Sequence, residues 1–161
     1  MEECFVQVKR VMAALDLSAY SEITFMHAHT LAKCMGAELV LLNVINSRGL
    51  EHIDQLAAQG YNVSRERYLK EVESERRAEL ERDYLSRVGE VPTRLIFRVG
   101  LPVAEILKAV KEEQADYLVI GPKGRSNLEN VLLGHVVEKV FRRCPCPVVS
   151  VRGPEHCAIP G

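Results

Sequence analysis

The chain has 161 residues, of which 47% are hydrophobic and 27% charged, with a formal net charge of −1. That length fits one domain on a prior of roughly 100–200 residues per domain, enough to bury roughly 70% of the surface its unfolded chain exposes. A near-zero charge gives no global field for nucleic acid or an anionic membrane, and no run of about 18 apolar residues exists to form a transmembrane helix.

In chain order, Arg10-Val-Met-Ala-Ala-Leu15 is a short apolar run ending at Asp16, and Leu17-Ser-Ala-Tyr-Ser21 supplies turn and helix-start chemistry. Ser21 is a fair N-cap with Glu22 beside it; Ile23, Met26, Thr30 or Leu31, and Cys34 recur at helical spacing, and Gly36 stands where a left-handed cap belongs. Glu38 to Ile45 reads as a fully buried strand. Asn46 to Asn62 reads as irregular, with one helical turn around Ile53 to Ala58.

Ser64 to Val88 predicts a long helix with Leu69, Val72, Leu80, Tyr84 and Val88 on its apolar side. Its cations, Arg76 among them, balance its carboxylates and are assigned to water, with Glu66–Lys70, Glu73–Arg77 and Asp83–Arg87 in the favourable i,i+4 order. A nucleic-acid surface would need an excess of one sign.

Thr93 to Val99 is a third strand, and Gly100-Leu-Pro102 turns into a helix striped by Val103, Ile106, Leu107 and Val110. Asp116 to Ile120 is a fourth strand, followed by a loop from Gly121 to Asn130 and a helix covering Val136, Val137, Val140 and Phe141. Cys144-Pro-Cys-Pro147 breaks that helix, and Val148 to Val151 is the last strand. The expected division is one domain over residues 1–152 and a short flexible tail over 153–161.

Strand and helix alternating throughout mean an α/β fold, because parallel strands need crossover helices. Right-handed crossovers give a doubly wound five-stranded parallel sheet with helices on both faces, commonly ordered 3-2-1-4-5. Ligands in such sheets sit beyond the carboxyl ends of the strands where the order reverses. Here that is between the strands ending at Asp16 and Gly121.

Gly121, Gly124 and Gly134 punctuate the segment after the fourth strand. Bare peptide N–H groups there could cradle a phosphate, with the N-terminus of the next helix behind Gly134 and local positive charge from Lys123 and Arg125. The residues alone equally allow glycines that merely make turns. The segment is neither a Walker motif, since Gly124-Arg-Ser126 lacks the Lys, nor a dinucleotide fingerprint, which would follow the first strand.

Asp16, the Gly100-x-Pro102 step before Glu105, the three-glycine loop and the closing stretch Val136 to Val151 together resemble the universal stress protein family, over roughly Arg10 to Arg152. The resemblance implies a Rossmann-like fold of the adenine nucleotide alpha hydrolase-like kind. It also implies a cytoplasmic regulatory protein of the stress response that binds ATP, ADP or AMP. Carried over by position, Ala14 and Asp16 would line the adenosine pocket beside Ile120, and Val44 would offer backbone groups to adenine. Gly121, Lys123, Gly124, Arg125 and Gly134 would meet ribose and phosphates, helped by the N–H groups of His135, Val136 and Val137. The family commonly forms a homodimer through its last strand, which here is Val148, Val149 and Val151.

Two departures stand out. His135 replaces the hydroxyl residue after the third glycine, and Asp16-Leu-Ser18 replaces Asp-Gly-Ser. His135 motivates an alternative reading, a nucleotide-free dimeric interaction module of the same fold. A second alternative is an ATP-hydrolysing or adenylyl-transferring enzyme, but neither a Ser-Gly-Gly-x-Asp-Ser loop nor a His-x-Gly-His signature is present. Mg²⁺ would enter only by joining phosphates near Asp16.

No residue is nominated as catalytic and none as a metal ligand. His27 and His29 lie two apart on a helix and face different directions, and His52 and His156 fall in segments expected to be flexible. The five cysteines are odd in number and scattered, unlike a secreted disulfide framework, and Cys144 and Cys146 read as a helix-to-strand junction rather than a redox or zinc motif. The acidic start, Met1-Glu-Glu-Cys-Phe5, lacks the basic and apolar regions of a signal peptide. The cytoplasm is the expected compartment, with neither membrane nor nucleic acid as a partner.

Overall fold

Alternating apolar strands and amphipathic helices fold, in the computed structural model, into a single parallel sheet described over residues 7–123 and 133–153. The strands are β1 (Arg10–Ala14), β2 (Glu38–Asn46), β3 (Thr93–Gly100), β4 (Tyr117–Ile120) and β5 (Val148–Ser150). All pairings are parallel and the order is β3-β2-β1-β4-β5, as the strand–helix alternation anticipates. The order reverses between β1 and β4.

Helices α1 (Ser21–Met35), α2 (Arg48–Ala58), α3 (Arg65–Asp83), α4 (Pro102–Glu112) and α5 (His135–Arg143) connect the strands. The central strands are buried on both faces. Val11, Ala13, Leu39 and Leu41 join Phe25, Ala28, Ala32 and Leu80 in one core, while Met12, Val40 and Leu118 join Ile106, Ala109, Val137 and Val140 in the other. Continuous apolar strands are what a doubly covered parallel sheet requires.

Several local expectations change. The α1 stripe is rotated by one residue: Thr24, Phe25, Ala28 and Ala32 are buried, whereas Met26 is 53% exposed and Cys34 is also outward. Small residues let this helix lie close to the sheet, so side-chain size misled the periodicity. Ser21 is the first helical residue rather than the cap; its hydroxyl turns to Asp16 Oδ1 at 3.4 Å. Gly36 does adopt φ of 62° as the left-handed cap.

The stretch expected to be irregular holds α2, and His52 lies on it. Helix α3 is capped by Ser64, whose Oγ accepts from Arg67 N at 3.2 Å, but it ends at Asp83, before a 3₁₀ turn over Leu85–Arg87. Glu66–Lys70 and Glu73–Arg77 pair as expected. The Asp83–Arg87 pairing does not form between side chains. Asp83 binds Arg82, and Arg87 crosses to Glu22 of α1 at 2.6 Å, pinning the turn after α3 onto α1.

Among the described residues no helix is long and apolar enough to cross a membrane. The tail from residue 154 onward, with His156 and Cys157, lies outside the described residues, as do Cys4 and residues 124–132.

Candidate functional site

The β1–β4 reversal opens a crevice of about 440 Å³, within the roughly 300–1,000 Å³ usual for small-molecule sites. Every nucleotide-site residue expected from the sequence lines it except Gly124 and Arg125, which lie outside the described residues: Ala14, Asp16, Val44, Ile120, Gly121, Lys123, Gly134, His135, Val136 and Val137. Leu42, Tyr20, Thr24, Asn46, Arg76 and Ile106 complete much of the wall.

The strand ends explain why the crevice is open. Even-numbered residues of β2 face β1, as Glu38 N–H to the Lys9 carbonyl and Leu15 N–H to the Leu42 carbonyl show, each 2.9 Å. The next rung would join Val44 N–H to the Leu15 carbonyl. Instead the Asn43 side chain takes that carbonyl through Nδ2 at 2.7 Å. The ladder therefore stops one rung early, and Val44 turns its N–H and C=O past the end of β1 toward the crevice.

Asn43 is fully buried and its other amide atom is also occupied. Arg76 Nη1 of α3 donates to Asn43 Oδ1 at 2.9 Å and to the Val44 carbonyl at 3.3 Å. Both residues escaped the sequence reading. A polar amide inside Leu-Val-Leu-Leu-Asn43-Val-Ile was a usable signal for one. Arg76 had none, being one cation among many on a charge-balanced helix.

Across the crevice, Asp16 Oδ1 accepts from Ser18 N–H at 3.0 Å, a tight turn that places Leu17 at φ of 60°. That left-handed conformation is one glycine adopts readily, so Leu17 carries local strain. Gly121 serves packing: a Cβ there would lie 3.1 Å from Tyr20 Cβ and 3.4 Å from Thr24 Oγ1. The missing side chain lets α1 approach β4 rather than clearing a path for a ligand.

Gly134 is the N-cap of α5, and its own N–H donates to the Pro122 carbonyl at 2.8 Å. Glu138 N–H donates to the Gly134 carbonyl at 3.0 Å, the first intrahelical bond of α5. The N–H groups of His135, Val136 and Val137 are therefore the first-turn donors with no intrahelical acceptor, and among the described residues no side chain caps them. Together with the buried Lys123 they present a donor set suited to an anion.

The other chemistry-bearing residues lie elsewhere. His29 Nε2 is 3.0 Å from the Val88 carbonyl and its ring stacks on Phe25, which ties α1 to the end of the α3 segment. Cys144 and Cys146 bring their Sγ atoms to 3.6 Å, and burial, with the neighbouring thiol, pushes the Cys146 thiol up to about 12. Among the described residues no three of His, Cys, Asp and Glu gather at metal-binding distance.

On β5, Leu118 N–H to the Pro147 carbonyl and Val151 N–H to the Ile120 carbonyl, each 3.0 Å, show that odd-numbered residues face β4. The peptides of Val148 and Ser150 thus point to the open edge, whereas those of Val149 and Val151 belong to the sheet. The Val151 side chain is buried in its own core.

The universal stress protein family matches residues 7–152. Universal stress protein MJ0577 of Methanocaldococcus jannaschii is 30% identical over 157 residues, covering 91% of this chain and 96% of that protein. A solved structure of MJ0577 superposes with a TM-score of 0.74 at 27% identity, covering 92% of this chain and 98% of that one. A universal stress protein of Archaeoglobus fulgidus in complex with dAMP shares the fold at a TM-score of 0.61 and 15% identity, covering 92% of this chain and 100% of that one. So does a universal stress protein in complex with cAMP, at a TM-score of 0.58 and 23% identity, covering 91% and 98% respectively.

Proposed function

The chain belongs to the universal stress protein family, and from that premise we propose that the β1–β4 crevice binds an adenine nucleotide, AMP, ADP or ATP, in a regulatory homodimer of the stress response. The observation that carries the reading is the pairing of two complementary ends in one crevice. At one end are peptide groups of Val44 and the Asp16 carboxylate; at the other are the open N–H groups that begin α5, with Lys123.

Adenine offers an acceptor and a donor side by side at N1 and N6, which a peptide N–H and C=O can meet together. Ala14 and Ile120 supply an apolar floor, and Asp16 suits a ribose hydroxyl. His135 stands exposed at the first position of α5, in contact with the crevice, where its ring N–H can supply the donor a hydroxyl would have given. Similar structures holding dAMP and cAMP support a ligand of adenylate size. Any Mg²⁺ would arrive with the phosphates, Asp16 being the carboxylate at hand.

The dimer reading rests on the outward peptides of Val148 and Ser150, an unpaired edge of the kind that recruits another strand. Gly124 and Arg125 are proposed phosphate contacts on the resemblance alone.

The test is direct. Purified protein is denatured and its released small molecules separated, and refolded or nucleotide-stripped protein is titrated calorimetrically with AMP, ADP and ATP. Saturable heat with any of them is expected. No released nucleotide and no heat with all three would overturn the reading.

A further inference from the structure

Arg76 brings a fixed cation to the crevice end where Val44 turns its peptide outward. Its guanidinium is held in place: Nη1 is 2.9 Å from Asn43 Oδ1, and Asn43 is itself fully buried and fastened to the Leu15 carbonyl at 2.7 Å. The neighbouring residue steadies the same stretch of α3, with Arg77 Cζ over the Phe97 ring of β3 at 4.8 Å and Nη2 on Glu73 at 2.9 Å. The second Nη1 contact, 3.3 Å to the Val44 carbonyl, is the looser one and the one a base could share or displace.

The crevice thus holds three polar partners in a row: Val44 N–H, Val44 C=O and the Arg76 cation. The first two complement adenine, whose N1 accepts and whose six-position amine donates. The last two complement a 6-oxopurine, whose N1–H donates and whose O6 accepts. With either base a donor shares the Val44 carbonyl with Arg76, which its two lone pairs allow, but adenine offers the guanidinium no acceptor at the six position. With a 6-oxopurine, O6 receives a charge-assisted hydrogen bond from the guanidinium, the pairing arginine commonly makes with a purine carbonyl.

We propose that Arg76 determines base specificity and admits a 6-oxopurine nucleotide, such as one carrying hypoxanthine, alongside adenine. This rests on the nucleotide reading of the same crevice.

AMP and IMP differ only at the six position and the N1 proton, which makes them the probes. Calorimetric titration of both, with wild type and with Arg76→Met, gives the ratio of Kd for IMP to Kd for AMP in each protein. Met fills similar space without a donor. The ratio is expected to rise by about 10-fold or more in the variant, the loss of one hydrogen bond to a charged group. Circular dichroism checks the fold; if Arg76→Met does not fold, Arg76→Leu, also without a donor, replaces it with the same expectation. AMP binding with a ratio unchanged within about twofold would overturn this inference and leave the nucleotide reading standing. If neither nucleotide binds either protein, this inference falls, and the nucleotide reading falls with it only if ADP and ATP also give no heat and no nucleotide is released.

Discussion

Replacing Asn43 by alanine tests whether one buried amide holds the crevice open. The side chain makes two bonds: 2.7 Å to the Leu15 carbonyl and 2.9 Å from Arg76 Nη1. Leu15 is nearly inaccessible, so its carbonyl would lose its partner in a dry environment, a cost of about 1–3 kcal/mol. Arg76 is only half-buried and can return its guanidinium to water, so its share is smaller, about 0.5–1 kcal/mol. The expected total is about 1.5–4 kcal/mol, which for a domain of this size lowers Tm by roughly 3–16 °C. Urea unfolding followed by circular dichroism, at fixed protein concentration, measures it; the chain has no tryptophan to report by fluorescence. Arg76→Met and the double variant complete a cycle. Two results would refute the reasoning. One is an Asn43→Ala cost below about 0.5 kcal/mol. The other is a coupling energy with Arg76 that absorbs the whole loss, since the Leu15 carbonyl would then contribute nothing.

Val148→Pro removes an N–H that faces the open edge of β5 rather than β4, so the monomer should stay folded while sedimentation shows loss of the dimer; an unchanged dimer would refute pairing through this edge. Gln114 is exposed and sits at φ of 51° after α4, where Ala115 N–H bonds the Val110 carbonyl at 3.0 Å in a left-handed cap. Gln114→Gly should therefore stabilise by about 0.5–1 kcal/mol, read as a rise in the urea midpoint. The Arg87 hydrogen bond holds the Glu22 carboxyl below its ordinary value of 4.5, so its contribution is present above that pH and is lost as pH falls through the lowered folded value. Because both side chains are about half exposed, Glu22→Gln should cost only about 0.5 kcal/mol at neutral pH. Tm measured against pH should bring the two proteins together in acid, and a gap that widens there would contradict the pairing.

The sheet was legible because its strands, buried on both faces, are nearly unbroken apolar runs, and their separation by helices leaves little topological choice. Order and reversal point followed from the arrangement such sheets commonly take. Helix faces were harder to read. Helical spacing puts Ile23, Met26, Thr30 or Leu31, and Cys34 on one stripe; Ile23 and Leu31 pack at the edge of the core, yet Met26 and Cys34 are exposed and Thr24, Phe25, Ala28 and Ala32 are the buried residues. Of helix α2 the turn over Ile53 to Ala58 was legible, whereas its start at Arg48 was not, although Leu50, Ile53 and Leu56 recur at helical spacing.

The crevice divides along the same physical line. Asp16, Gly121 and the start of α5 could be named from where such sheets bind ligands, and Ala14 and Val44 from the family resemblance, because these are backbone positions that hold whatever the side chain. Side chains arriving from a distant element could not: nothing local distinguishes Arg76 from Arg77, although one enters the crevice and the other stacks on Phe97. Even the glycines divide this way. Gly134 opens a helix end, as its position suggests, but Gly121 is small because Tyr20 and Thr24 occupy the space beside it. A substitution there would act first on the packing of α1 against β4, and on any ligand only as α1 carries Ser21 and the Asp16 turn with it. Loss of nucleotide binding in a Gly121→Ala protein would therefore not by itself locate a phosphate at residue 121, whereas a raised ratio of Kd for IMP to Kd for AMP in Arg76→Met would locate the base beside Val44.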